Sequence, residues 1–561
     1  MKPPFLPGLP VSPMCAAAAL SFLVTCLPAP AVPFTVGEIK GNFDSTLSFG
    51  ALHRLQDPSP DYYGITNAFA GELGRQTSVN ADDGNLNYAK GWASAVFKGT
   101  HDLELKYRDY GVLVRGYWFS DLKSDHTLRT PLSDQARERV VRGADWLDLY
   151  ARAKFTVGSG MPLDLRIGRQ VLSLGESTFI PNGINVINSA DLSKLRVPGS
   201  ELREALLPVN MIKASLGLAP NVTIEPFWLL EFRRNELEPA GTYFSTNDFA
   251  TRGGKNVLLG FGSLPDNGTL GVIPRENERD AGNLNQYGVA LRFLAPSLNK
   301  IEFGLYYARY NSRSPVLNAR TPTGPVSAAL VQTTALTLGQ QNLSPALLGA
   351  GLPAGFLANA LQILVGTALT APAGTTPALP LIPIGAGPSG TINFPLAPFY
   401  PAAVQIANGA RQIGLLTAAR TGRYFTEYPE GIDQLGASFN TSLGKSGISW
   451  QGEVSLKNHQ PLQVDDVELL FATLSSLSPI FGQPNNQLGS YLGRYGLEVS
   501  GSRRHRVWTA QSTLTKVFGP ILGSQQFTVL GEVGGVWANL PPQDTLRYEA
   551  PGTFSGGSAV A

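Results

Sequence analysis

The 561-residue chain has only two cysteines, Cys15 and Cys26, both within the first 31 residues. A chain cut after that point carries no thiol, so disulfides, cysteine metal sites and cysteine nucleophiles are excluded from its mature chemistry. Charge is sparse too: Asp, Glu, Lys and Arg make 15% of the chain, against about 25% in an ordinary soluble protein. The net charge of +2 offers no polyelectrolyte surface, which excludes nucleic-acid binding by phosphate neutralisation. Beyond the N-terminal segment, no run of about 20 apolar residues is free of polar interruption, so a bundle of transmembrane helices is excluded as well. With 61 glycines and 42 prolines, the sequence is also poor material for a helix-rich enzyme.

What is present begins with an address. Lys2, the apolar stretch 16–27 and Ala29-Pro30-Ala31 give a positive end, a short hydrophobic region and a small-residue cleavage site. Residues 1–31 read as a secretory signal. Leu23-Val24-Thr25-Cys26 faintly resembles a lipoprotein signal, but ordinary cleavage is the simpler reading.

After the signal, apolar and polar residues alternate with period 2. Ile39, Gly41, Phe43, Ser45, Leu47 and Phe49 oppose Lys40, Asn42, Asp44, Thr46 and Ser48. Leu147, Leu149, Ala151, Ala153 and Phe155 do the same, as do Ile448, Trp450, Gly452, Val454 and Leu456. This is the signature of strands with one apolar face. Weaker versions near 88–98, 103–121, 163–171, 210–218, 222–232, 287–293, 301–309, 433–441, 507–516 and 525–536 bring the number to 13 strands.

The connections are more informative than the strands. Short turns near Gly99-Thr100, Gly158-Ser159-Gly160, Ala219-Pro220-Asn221, Pro296-Ser297, Gly444-Lys445-Ser446 and Gly519-Pro520 alternate with long connections near 53–87, 123–144, 173–208, 235–284, 312–431 and 459–504. Long loops at one end and tight turns at the other predict an all-β, transmembrane, antiparallel up-and-down barrel rather than a sandwich. Apolar positions would then meet lipid and polar positions line a lumen. The apolar parity shifts across Asp109-Tyr110-Gly111, which predicts a bulge in one long strand, with two short strands as the alternative. Residues 321–410 contain no charged side chain; they read as a low-complexity external loop or as a hydrophobic cap with an apolar helix over 354–371.

Several segments are distinctive: Asn80-Ala81-Asp82-Asp83-Gly84-Asn85-Leu86-Asn87-Tyr88, Gly168-Arg169-Gln170-Val171-Leu172, Gly175-Glu176-Ser177-Thr178-Phe179-Ile180-Pro181-Asn182-Gly183-Ile184-Asn185 and Leu195-Arg196-Val197-Pro198-Gly199-Ser200-Glu201-Leu202. Tyr243-Phe244-Ser245-Thr246-Asn247-Asp248-Phe249, Tyr428-Pro429-Glu430 and Gln463-Val464-Asp465-Asp466-Val467-Glu468 complete the set. Together they resemble the domain of unknown function 1302 family over roughly residues 35–560. The resemblance implies a large Gram-negative outer-membrane barrel. It also implies a hydrophobic or lipid-like solute, delivered by a periplasmic carrier and an inner-membrane transporter. The stretch 321–410 looks like an insertion relative to that family.

No catalytic constellation stands out. His53, His101, His126, His459 and His505 are the only imidazoles, and none sits in a nucleophile motif. Gly444-Lys445-Ser446 lacks the first glycine of a phosphate loop, and Asp82-Asp83-Gly84-Asn85 lacks the order and distal glutamate of a calcium loop. No cofactor and no metal are expected. The polar strand positions carry the functional hypothesis: Arg115, Arg152, Lys154, Arg166, Lys213, Glu225, Arg292, Glu302, Glu453 and Lys457 would face the lumen, with Glu104, Glu231 and Glu532. They serve as a structural network in a sealed barrel and as a selectivity lining in an open one. The segment 175–185, with Glu176, Phe179, Ile180, Asn182 and Asn185, is expected either to fold inward and narrow the lumen or to pack on neighbouring loops.

The sequence therefore predicts an outer-membrane β-barrel over 32–561 that passes a solute without covalent chemistry, in contact with outer-membrane lipid. The alternative is a non-conducting surface barrel whose long loops bind a partner or anchor an envelope assembly. Thirteen strands starting from the periplasm end on the outer side, so a C-terminal truncation, or a missing partner segment, is expected, with the full barrel closing at roughly 14 to 16 strands.

Overall fold

The computed structural model describes residues 32–549 except Ser159, Pro265, 267–269 and Leu522, and adds the backbone of Leu20–Leu23 and Leu27–Pro28. The rest of residues 1–31, the segment expected to be a secretory signal, and residues 550–561 lie outside the described residues. Long antiparallel strands dominate, each paired to the next in sequence. They are β1 (Ile39–Arg54), β2 (Gly91–Tyr107), β3 (Tyr110–Asp121), β4 (Arg142–Val157), β5 (Met161–Gln170), β6 (Val209–Ala219), β7 (Val222–Leu229), β8 (Tyr287–Ala295), β9 (Ile301–Tyr310), β10 (Ile432–Ser442), β11 (Ile448–Gln463), β12 (Ser502–Phe518) and β13 (Phe527–Ala538). With Leu20–Leu23 ahead of β1 the path has 14 strands.

The sheet is not closed. The second edge of β1 carries Val32–Val36, Leu27–Pro28 and Leu20–Leu23. On β13, β12 occupies one edge and no strand occupies the other among the described residues. Residues 39–49 and 525–536 are therefore not hydrogen-bonded to each other.

Two local expectations are corrected. The turn foreseen at Gly99-Thr100 is strand interior: β2 runs straight through, and Gly99 is small because the Trp118 indole lies 2.7 Å from where its β-carbon would be. The feature at Asp109 is not a bulge but the alternative reading, two strands joined by a hairpin, a two-residue loop with Tyr107 facing Tyr110 and Arg108 at φ 51°. The reversal of the chain produces the parity shift that the sequence suggested was a bulge. A real bulge lies further on. Val114 pairs with Leu149 but Gly116 with Trp146, so one residue of β3 faces two of β4 and the parity of β4 inverts above it. Leu147, expected on the lipid face, is consequently buried with Val96, Tyr117 and Phe119, while Trp146 is outside and 57% exposed.

The outer face is apolar and exposed along successive strands, as at Phe49, Phe97, Leu149, Ile167, Leu305, Leu435, Val454, Leu514 and Val529. Exposed aromatics mark its two ends. Trp92, Trp146, Trp228, Tyr287 and Trp537 lie toward the long loops, and Tyr107, Tyr110, Phe155, Phe293, Trp450 and Phe518 toward the short turns. No described helix is long and apolar enough to cross a membrane.

At the long-loop end, Val316–Arg320 pairs with Arg423–Glu427 and Glu498–Val499 in a small separate sheet. Between its first two strands the uncharged segment folds into α1 (Ala328–Asn342), α2 (Leu357–Thr370), a hairpin of Ile382–Gly387 with Gly390–Phe394, and the first half of α3 (Tyr400–Ala419), whose second half carries Arg411. Ser327 caps α1 by accepting from the Leu330 amide. Leu343, Leu347, Leu364, Tyr400, Ala403 and Ala407 form a small core of this unit's own. A segment without charge can fold here because its apolar residues bury against one another.

Candidate functional site

The site is built where the connection between β5 and β6, residues 171–208, turns back onto the inner face of the sheet. Its first half meets the last strands. Glu453 of β11 is nearly buried and its two oxygens accept from the Glu176 amide (2.6 Å), the Ser177 amide (3.1 Å) and the Ile184 amide (2.8 Å). Glu532 of β13 accepts from the amides of Thr178 (2.8 Å), Phe179 (2.7 Å) and Ile180 (2.8 Å), and from the Thr513 hydroxyl (2.9 Å). Two carboxylates thus satisfy six consecutive or near-consecutive amides that the loop's irregular backbone leaves without ladder partners.

Side-chain amides of the same strands take the loop's carbonyls. Gln451 donates to Glu176 O (2.7 Å), Gln434 to Gly183 O (2.9 Å), and the Lys457 ammonium to Asn182 O. Asn440 donates to the Glu176 carboxylate (3.0 Å), which also lies 3.7 Å from Arg292. Gly175 and Gly183 make this approach sterically feasible. Gly175 sits at φ +73°, and a β-carbon on it would lie 2.3 Å from Glu453 Oε2. Asn182 occupies the left-handed region at φ 67°, and Asn185 accepts from the Asn188 amide group at 3.0 Å. Phe179 is 75% exposed, and Ile180 lies beside Gly534.

Apolar residues complete the seat. Leu172, Leu174, Ile184 and Ile187 pack with inner-face side chains Met211, Phe227, Leu229, Tyr306, Tyr310 and Ile432 in one buried cluster.

The second half of the same connection meets the first strands. Lys98 of β2 and Glu204 form an ion pair with side chains only 2% and 4% exposed. Arg203 reaches Asp102 (3.4 Å) and the Thr46 hydroxyl (3.3 Å). Asp191 accepts from the Ser193 and Lys194 amides, the Lys194 ammonium lies 4.7 Å from the Tyr117 ring centre, and burial lowers the Lys194 pKa. Pro198 covers Gly50, where a β-carbon would lie 2.5 Å from the proline carbonyl. One connection therefore touches β1–β3 and β10–β13 together, so the sheet curls around it.

The expected lumen residues are brought into pairs. Arg115 bridges Asp102 and Asp148, both at 2.7 Å. Arg152 meets Glu104 at 3.0 Å and Arg166 meets Asp164 at 3.3 Å. Arg292 sits among Glu225 (3.5 Å), Glu302 (3.2 Å) and Glu176, and Lys213 lies 3.6 Å from Glu225. Lys154 is exposed and makes no ion pair among the described residues. Most of these side chains keep partial solvent access, from 11% for Asp148 to 45% for Glu302, so the inner face of β3–β9 is wet as well as charged. Sequence reasoning missed Lys98, Glu204, Gln434, Asn440 and Gln511. Gln434 and Asn440 occupy polar positions of an alternating strand, the one signal that pointed to them.

His101 accepts from the Trp118 indole on Nε2 (3.0 Å), so its Nδ1 carries the proton and donates to Ser45 Oγ (2.8 Å). That polarity is the wrong one for a base activating a serine. Asp82, Asp83 and Asp266 place carboxylate oxygens within 4.8 Å of one another. Their neighbours already provide donors: Gly64 N and Asn67 to Asp82, Thr130 to Asp83, and Arg129 to Asp266. Burial pushes Asp82 up to about 6. The cluster works as a hub tying three loops.

Among solved structures, the chain is similar to OccAB4 of Acinetobacter baumannii, at 9% identity over 92% of this chain and 86% of that one, with a TM-score of 0.25. OpdL of Pseudomonas aeruginosa gives 9%, 91%, 90% and 0.23 for the same quantities. The siderophore receptor PirA of Pseudomonas aeruginosa gives 9% identity and a TM-score of 0.24, with 90% of this chain covering 62% of that one. No curated protein matches the sequence. The family model described as "Protein of unknown function (DUF1302)" matches residues 12–560, nearly the whole chain, and the protein belongs to that family.

Proposed function

We propose that the protein is an outer-membrane barrel that lets a solute pass without covalent chemistry, with the 171–208 connection as its internal constriction. Membrane residence is supported by the exposed apolar belt and its two aromatic borders. Trp146 and Phe155 stand nine residues apart on β4, about 30 Å of strand, which at a tilt of about 40° spans about 23 Å and matches the apolar height of outer-membrane barrels.

The observation that carries the transport reading is the contrast across the inner face. Glu453 and Glu532 hold the loop against β11–β13, while β3–β9 present a partly solvated ladder of both charge signs. The connection is held at the first and last strands and packs apolar side chains on β6–β9, which narrows a lumen, and the partly solvated charges mark the space it leaves open. In this reading the solute is hydrophobic or lipid-like and is exchanged with a periplasmic carrier and an inner-membrane transporter.

The competing reading, a sealed barrel whose loops bind a partner, draws on the pairing of nearly every inner charge. Planar-bilayer conductance of the full-length protein separates the two. Discrete channels that grow when residues 176–184 are deleted support passage, and a silent bilayer with correctly inserted protein refutes it.

A further inference from the structure

A second enclosed space lies outside the lumen, among the long loops. It is formed where α4 (Asp466–Leu474) packs against the 249–273 loop and the strand Val316–Arg320. Its walls are apolar, chiefly Phe249, Val257, Leu259, Ile273, Leu469 and Leu470, and the cavity, open on one side, measures about 80 Å³.

The polar groups of the wall are almost all committed. Asn80 exchanges two hydrogen bonds with the Leu258 backbone (2.8 and 2.7 Å). The Tyr424 hydroxyl donates to Phe249 O (2.9 Å) and the Thr473 hydroxyl to Leu469 O (2.8 Å). Asn318 donates to Glu427 (2.6 Å) and accepts from the Gly501 amide (2.9 Å). Among the described side chains of the wall, Asp466 Oδ1 is the atom that is buried without a hydrogen-bond partner. A buried acceptor left alone is costly unless something supplies a donor. Burial, with Glu549 and Asp465 nearby, pushes this carboxyl up to about 8 against the pull of the Val467 and Asp466 amides.

We propose that this pocket binds a small aliphatic alcohol, its hydrocarbon body against Phe249, Leu259 and Leu470 and its hydroxyl donating to Asp466 Oδ1. The assignment goes beyond the lumen reading and does not rest on it, since occupancy of the pocket requires no passage through the sheet.

The test uses the full chain in lipid nanodiscs and an octanol carrying a mid-chain diazirine. After irradiation, mass spectrometry should find the label enriched on peptides covering 249–261 and 464–475, and unlabelled 1-octanol should compete while n-octane does not. Asp466→Ala should weaken that competition by about tenfold, the scale of one hydrogen bond to a buried acceptor. Leu470→Trp should remove labelling at both peptides while labelling of the lipid-facing strand 149–155 persists, which reports that the variant is folded and inserted. Label distributed in proportion to exposed apolar surface, or octane competing as well as octanol, overturns the assignment. Conductance of the same samples tests the lumen separately, so the two proposals fail independently.

Discussion

Gly183 lies so close to Glu453 that a β-carbon on it would stand 1.8 Å from the carboxylate Oε1 and 2.2 Å from the Gln511 amide nitrogen. The loop can reach the strand wall only because that position has no side chain.

Gly183→Ala should therefore unseat the loop while leaving the sheet intact. Overpacking of this kind costs about 1 to 3 kcal/mol. The measurement is single-channel conductance alongside heat-modifiable migration: conductance should rise with little change in the unfolding of the sheet. An unchanged conductance with a normally seated loop would show that the backbone absorbs the methyl group.

Lys98 and Glu204 make the opposite end of the same connection dependent on charge balance. Lys98→Ala leaves Glu204 buried without its cation and should cost about 3 to 5 kcal/mol, whereas Lys98→Met with Glu204→Met should recover most of the loss. Urea unfolding of the three variants in nanodiscs checks this. A double variant no better than the single one would place the importance in packing.

The assignment of faces predicts an asymmetry between neighbours on β4. Ala151→Arg puts a cation on the apolar face and should cost about 2 to 4 kcal/mol near mid-membrane. Arg152→Ala removes only the half-exposed contact to Glu104 and should cost under about 1 kcal/mol. Equal losses in a folding assay into vesicles would contradict the parity of the strand.

Acid should firm the loop end that carries α4. Asp466 in the folded protein holds its proton up to about 8, well above an ordinary carboxyl near 4. A raised carboxyl binds more protons folded than unfolded across that interval, so its stabilising effect is fully present below about pH 4 and is lost as pH rises through about 8. Hydrogen exchange across 464–475 should accordingly slow on acidification from pH 8, after correction for intrinsic rates. Asp466→Asn should flatten the dependence.

The strands were legible because a one-sided sheet must alternate, and the alternation of tight turns with long connections survives in the structure, with the first tight turn moved from Gly99-Thr100 to Arg108-Asp109. What misled was local. Gly99 reads as a turn residue from sequence, yet it is glycine to admit the Trp118 indole, a partner named only by the register of β2 with β3. Leu147 follows the period in sequence, but a single extra residue opposite Arg115 turns it inward. The inward turn of 175–185 was one of two readings its apolar content allowed, whereas Glu204 as the partner of Lys98 was invisible, being 106 residues away. Sequence spacing carries no information on such a pair.

The connection between β5 and β6 joins groups that are far apart along the chain, its amides lying about 270 to 350 positions from the carboxylates that receive them. Contacts of such long sequence separation form late, because loop-closure entropy is spent before they return anything. During biogenesis the strands must therefore pair while the interior is still unoccupied and full of water, and the seating of residues 175–184 becomes a timer that marks the end of assembly. Protease protection of that segment, followed over time, would report maturation of the whole molecule rather than of any one hairpin.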